Sequence, residues 1–62
     1  MKTFYQLSSA ERLRVRVEAF EKLDELSGMD DLERSIELSE QLNIDEGYAY
    51  WLVEEYNAGA SA

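Results

Sequence analysis

The chain has 62 residues, of which 14 are acidic and 6 basic, for a formal net charge of −8, and 45% are hydrophobic. So short a chain makes one domain at most and buries only a small core. The absence of Cys and His excludes disulfides, thiolate metal sites and the usual acid–base group at neutral pH. We therefore expect a single domain over residues 1–62, with an N-terminal arm at 1–7 and a flexible tail at 58–62.

The acidic excess is concentrated in the second half of the chain. Through Arg34 there are 8 acidic and 6 basic side chains, a net of −2, whereas from Ser35 onward there are 6 acidic and no basic ones, a net of −6. Such an excess can simply keep a small protein in solution. It can also form a face that attracts basic partners and repels nucleic acid. Composition leaves both interpretations open.

The first predicted helix spans residues 8–27. Ser8 and Glu11 have the spacing of a capping box, and Gly28 is placed to end the helix in the left-handed conformation. Apolar residues recur on two overlapping stripes, which indicates neighbours on more than one side. The stripes are Ala10, Leu13, Val17 and Phe20, and Val15, Ala19, Leu23 and Leu26.

The second and third helices are predicted at 31–42 and 45–57. Asp30 or Asp31 caps the second, Asn43 ends it in the left-handed conformation, Ile44 points inward and Asp45 caps the third. Two serines on the apolar face, Ser35 and Ser39, indicate that another helix approaches closely. The expected fold is an all-α, small three-helix bundle. Its core is expected to contain Leu13, Val17, Phe20, Leu23, Ile36, Leu42, Ile44, Leu52 and Tyr56.

Residues 35–54 resemble a helix-turn-helix, with the corner between helices 2 and 3. Ser39 fills the small-residue position before the turn, Asn43 the turn, and Ala49 and Leu52 the inward positions that follow. The resemblance implies a second helix that presents basic side chains to the major groove. Here the matching outward residues include Glu46, Tyr50, Trp51 and Glu54, and no Lys or Arg lies after Arg34. Because phosphate contacts require such cations, we expect no direct binding to nucleic acid.

The third helix carries the candidate site. Ala49, Leu52, Val53 and Tyr56 should face the core, which leaves aromatic and acidic side chains outward. This mixture is typical of a protein-binding hot spot with a charged rim, although aromatics also commonly cover a shallow core. The candidate partner-binding residues are Trp51, Tyr50 and Glu54, flanked by Tyr48, Glu46 and Glu55.

Catalysis is not expected, because adjacent carboxylates on a helix diverge and no nucleophile–base pair, phosphate loop, metal site or cofactor site is present. Nor does the chain contain an apolar run close to the ~18 residues of a membrane span, or a signal peptide. We expect a cytoplasmic protein that does not associate with membranes.

Two non-enzymatic functions remain. One is an interaction module that binds a basic protein, at the extreme as an inhibitor that occupies a nucleic-acid-binding groove. In size and charge the chain is similar to small acidic helical proteins of phages and mobile elements. The alternative is a structural or regulatory subunit that forms a homodimer, or a helix-turn-helix regulator that acts on DNA with a partner. The apolar group Phe4, Tyr5 and Leu7 in the arm is expected to pack on the bundle; a clasp on a partner is the other option.

Overall fold

The chain forms a bundle of three helices. The structure, a computed structural model, describes residues 1–61 and contains a single 3₁₀ turn at Phe4–Gln6, then α1 (Ser9–Glu25), α2 (Asp31–Leu42) and α3 (Glu46–Ser61). Over those residues there is no β-strand, only an isolated bridge between Lys2 and Ile44. The predicted all-α three-helix bundle is confirmed. The third helix runs past its predicted end, through 58–61, and Ala62, the last residue of the predicted tail, lies outside the described residues.

The start of α1 follows the predicted capping box. The Glu11 N–H donates to the Ser8 hydroxyl at 3.2 Å, and the Ser8 N–H donates to the Glu11 carboxylate at 3.0 Å. The predicted end is wrong, because the helix stops at Glu25 and Gly28 has no positive φ. The Leu26 N–H instead donates to the carbonyls of Lys22 and Leu23, so the helix ends without a left-handed residue.

The corner between α2 and α3 is built from side chains that satisfy local backbone groups. Asn43 has φ 54° and ψ 46°, the predicted left-handed stop. The buried Ser39 hydroxyl donates to the Ile44 carbonyl at 2.6 Å, across the turn. Asp45 then accepts the N–H groups of Gly47 and Tyr48, at 2.9 and 3.4 Å, and so caps α3. These bonds fix the chain direction between the two helices.

The core lies between one face of each helix and the arm. Of the expected core residues, Leu23, Ile44 and Leu52 are buried, and Phe20, Leu42 and Tyr56 are partly buried. The full buried set adds residues from every element: Leu7, Ala19, Leu38, Tyr48, Ala49 and Val53, with the small polar Ser35 and Ser39. The two serines lie on the buried face of α2, as predicted, and α2 packs mainly against α3.

Three core assignments are wrong. Leu13, 65% exposed, and Val17 lie on the side of α1 away from the core, and Ile36 on α2 is exposed as well. The second stripe of α1, which contains Ala19 and Leu23, is the buried one. The reason is the size of the bundle: two neighbouring helices can cover only one side of α1, so the second stripe is buried and only Phe20 of the first stripe packs against the core.

The N-terminal arm is attached to the corner by main-chain bonds. The Lys2 N–H donates to the Asn43 carbonyl at 3.2 Å, and the Asp45 N–H donates to the Lys2 carbonyl at 2.8 Å. Leu7 is buried in the core. The expectation that the apolar residues of the arm pack on the bundle is therefore met for Leu7 and for Phe4, which is partly buried against the core. It is wrong for Tyr5, which is 87% exposed.

Candidate partner-binding surface

The outward side of α3 keeps large aromatic side chains in contact with solvent. Trp51 is 44% exposed and Tyr50 41%, whereas Ala49, Leu52 and Val53 face the core as expected. Glu46 and Glu54 are exposed and Glu55 is half-buried. Tyr48 differs from the prediction for the surface, because it is only 6% exposed. Its ring packs against Phe4 of the N-terminal arm. The position of that arm cannot be predicted from the periodicity of α3.

The arm and the first turns of α3 enclose a groove of about 580 Å³, lined by Thr3, Phe4, Tyr5, Asp45, Gly47, Tyr48 and Trp51. We call it the aromatic groove. The Phe4 ring lies at its base in edge-on contacts, with centroid distances of 5.4 Å to Tyr5, 5.6 Å to Tyr48 and 6.0 Å to Trp51. Tyr48 and Trp51 lie 6.4 Å apart and are tilted at 40°. Edge-to-face pairs at these separations stabilise the arrangement beyond simple burial.

The six predicted residues differ in their relation to this groove. Trp51 and Tyr48 line the aromatic groove, whereas Tyr50, Glu46, Glu54 and Glu55 do not. Successive residues on a helix point about 100° apart, and Tyr50 points away from the groove that Trp51 lines. Sequence reasoning missed Thr3, Phe4 and Tyr5 as part of this site. The signal was present in the unassigned aromatic pair of the arm, but the position of the arm depends on tertiary contacts.

Arg12 fixes the position of Phe4. Its Nε donates to the Phe4 carbonyl at 3.0 Å, and its guanidinium lies 4.0 Å from the centre of the Phe4 ring. A cation over an aromatic face is attracted by the ring quadrupole, so this contact holds the arm against α1. Arg12 does not line the aromatic groove.

The polar groups at the mouth of the groove belong to the α3 cap. Oδ2 of Asp45 accepts the Gly47 N–H at 2.9 Å, and a Cβ added at Gly47 would lie 3.0 Å from that oxygen. The glycine therefore permits the close approach of the capping carboxylate. Burial raises the pKa of Tyr48, with an opposing effect from the nearby Arg12, so this phenol stays neutral at physiological pH.

Most of the basic side chains are engaged within the protein. Besides Arg12, which contacts Phe4, Arg16 lies with its guanidinium 4.7 Å from the centre of the Phe20 ring. Arg34 pairs with Asp31 at 2.6 Å, and Lys2 lies 3.7 Å from Glu11. Cations used in this way do not form a continuous stripe for phosphate contacts.

Polar side chains also join the end of α1 and the start of α2 to the later turns of α3. The Tyr56 hydroxyl donates to the Asp24 carboxylate, and this bond is the main cause of the raised pKa of Tyr56. The Asn57 amide donates to Asp31 at 3.1 Å, which together with Arg34 lowers the pKa of that carboxyl. These bonds link α3 to α1 and α2, so the shifted pKa values here are explained by contacts that hold the helices together.

Comparison with protein families, with curated proteins and with solved structures finds no match for this chain. Within the described residues, no three potential ligand side chains are grouped so that they could hold a metal ion. Among the same residues, no helix is long and apolar enough to cross a membrane.

Proposed function

We propose that this chain is a non-enzymatic interaction module that binds a basic protein through the outward side of α3 and the aromatic groove. One observation carries the proposal: Trp51 stays 44% exposed on a helix with exposed carboxylates, in a half of the chain that contains no Lys or Arg. A large aromatic is a costly group to leave in water on a small domain, and such side chains are enriched in binding hot spots.

Electrostatics define the partner. A surface with a net charge of −6 over residues 35–62 raises the association rate with a basic protein and opposes contact with phosphates. The extreme form is an inhibitor whose carboxylates occupy the positions of phosphates in a nucleic-acid-binding groove. A cytoplasmic role in a phage or mobile element would suit the size and charge of the chain, and is part of this proposal.

The test is affinity capture with the tagged full chain from host lysate, in parallel at low and high salt. A partner held by charge should be released as the salt concentration rises. The purified partner should then bind Trp51→Ala about thirtyfold more weakly, as expected for an anchor whose loss costs ~2 kcal/mol. Glu54→Gln with Glu55→Gln should mainly slow association, and Glu40→Gln, an exposed carboxylate on α2, is the matched charge control.

Competition identifies the inhibitor form. If the partner binds nucleic acid, increasing duplex DNA or single-stranded RNA should displace it from the chain. A partner that is retained at high salt and unaffected by Trp51→Ala would contradict the proposal. A partner that recruits the chain to DNA would support the alternative of a helix-turn-helix regulator.

Self-association is the second candidate, and a specific observation favours it. Leu13 and Val17 lie one turn apart on α1, are 65% and 52% exposed, and are not covered by the rest of the described chain. A second copy could bury them. Sedimentation across a range of concentrations tests this, with Leu13→Ser as the variant that should abolish any dimer. A monomer at every concentration would exclude it.

A further inference from the structure

The aromatic groove has the composition of a site for an organic cation. Phe4, Tyr5, Tyr48 and Trp51 supply four rings, and Asp45 supplies a carboxylate. The Oδ2 oxygen of Asp45 caps α3, while Oδ1 accepts no hydrogen bond within the described residues. Rings present negative π-faces, so a groove of rings with one acid attracts a positive group.

We propose that the aromatic groove binds the positively charged side chain of a Lys or Arg residue of the partner protein. This inference rests on the proposed function and deepens it, because it identifies the chemical group that is recognised. The occupant is defined by charge complementarity: an anion would meet Asp45 and the acidic half of the chain, and an apolar side chain would leave that carboxylate without a counter-charge.

Arg12, a cation near the groove, does not oppose this assignment. Arg12 contacts the Phe4 ring and its carbonyl and does not line the groove. Phe4 is thus already paired with a cation, and the rings left for a ligand are those of Tyr5, Tyr48 and Trp51. Tyr5, 87% exposed, forms the outer wall, and its loss should not disturb the core.

The experiment uses the full chain and blocked tripeptides of the form acetyl-Gly-X-Gly-amide. X is Arg or Lys in the test peptides, and citrulline or acetyl-lysine in the neutral counterparts of similar shape. Trp51 is the one tryptophan of the chain, so its fluorescence reports on the groove directly. The Gly47 amide signal in NMR spectra gives a second reading. The charged peptides should bind saturably, and the neutral ones about five- to tenfold more weakly.

Matched variants locate the site. Tyr5→Ala and Asp45→Asn should each weaken the charged peptides several-fold. Asn caps a helix about as well as Asp, so Asp45→Asn removes charge but keeps the fold. Tyr50→Ala and Glu40→Gln, an aromatic and an acid outside the groove, should leave binding unchanged. Thermal melts of all four variants check that each is folded.

Equal binding of charged and neutral peptides would overturn the inference, and so would equal effects of Tyr5→Ala and Tyr50→Ala. No binding of any peptide would overturn it too. Its failure is distinguishable from failure of the proposed function. A salt-sensitive partner that is lost with Trp51→Ala but indifferent to Asp45→Asn keeps the interaction module and removes the cation site. Charged-peptide binding without any basic partner would keep the cation site and remove the proposed function.

Discussion

Two leucines on α1 offer the sharpest test of the fold. Leu23 has no exposed surface, and Leu→Ala at such a site costs about 2–5 kcal/mol of unfolding free energy. The core of so small a domain supplies only ~3–5 kcal/mol, so Leu23→Ala should be largely unfolded. Leu13 is 65% exposed, so only about a third of its side-chain surface is buried. A fully buried Leu contributes ~1.5–3 kcal/mol, so Leu13→Ala should cost about 0.5–1 kcal/mol.

Urea titration followed by far-ultraviolet circular dichroism measures both changes. Leu13→Ala should shift the midpoint slightly with an unchanged slope, while Leu23→Ala should show little transition at all. A loss of stability with Leu13→Ala as large as with Leu23→Ala would refute the assigned core face. If that loss depends on protein concentration, a second copy covers Leu13, because association stabilises by mass action.

Four further outcomes are expected. Ser39→Ala should cost about 1–3 kcal/mol in urea titration, because the Ile44 carbonyl loses its buried donor; an unchanged midpoint would mean that this bond is unimportant. The Ser8 cap, then Lys2, lowers the pKa of Glu11, so its contribution to stability is present above the unfolded pKa and is lost as pH falls through the lowered folded pKa. Glu11→Gln retains the capping box but cannot be protonated in this range. Its melting temperature should therefore fall less than that of the parent chain between about pH 6 and about pH 3, which lie above and below the ordinary pKa of a carboxyl. The isolated protein should not shift random duplex DNA at physiological salt, and binding that weakens steeply with salt would reveal a basic face on α1. Trp51→Ala, which removes a ring contact to Phe4, should lower stability by about 1.5–2.5 kcal/mol, half of the ~3–5 kcal/mol cost at a fully buried site; complete unfolding would identify Trp51 as a core residue.

The ends of the elements could be predicted from the sequence wherever a side chain satisfies a neighbouring backbone group. Ser8, Asp30 and Asp45 accept N–H groups two or three residues ahead, and Asn43 adopts its left-handed conformation within the same local frame. Such bonds need only the residue types and their spacing. Gly28 failed because a glycine permits a left-handed end but does not require it.

The core face of α1 could not be predicted in the same way. Both stripes have helical periodicity, and the choice between them depends on where α2 and α3 lie. The buried serines of α2 did indicate a close approach, since Ser35 and Ser39 lie on the face that packs against α3. No comparable signal marked the free side of α1, where Leu13 and Val17 are exposed.

The candidate site combines both cases. The outward position of Trp51 follows from its angle relative to Leu52 and Val53, so periodicity sufficed. The inward position of Tyr48 and the presence of Phe4 and Tyr5 depend on an arm that crosses the corner. That crossing is fixed by main-chain bonds of Lys2 to Asn43 and Asp45, which any residue could make. Backbone pairing does not depend on side-chain pattern, so the sequence showed the aromatic residues of the arm but not that they lie beside Tyr48 and Trp51.

The arm also explains how a helix-turn-helix-like corner can serve a partner other than DNA. In a DNA reader, the first residues after the turn approach the major groove and its phosphates. Here the same residues, Asp45, Gly47 and Tyr48, form one wall of the aromatic groove, and Phe4 of the arm lies against them. The corner therefore presents rings and a carboxylate where a reader presents cations. Geometry of the same kind with inverted charge would favour a positive group, which is the physical basis of the proposal that this surface binds a basic protein.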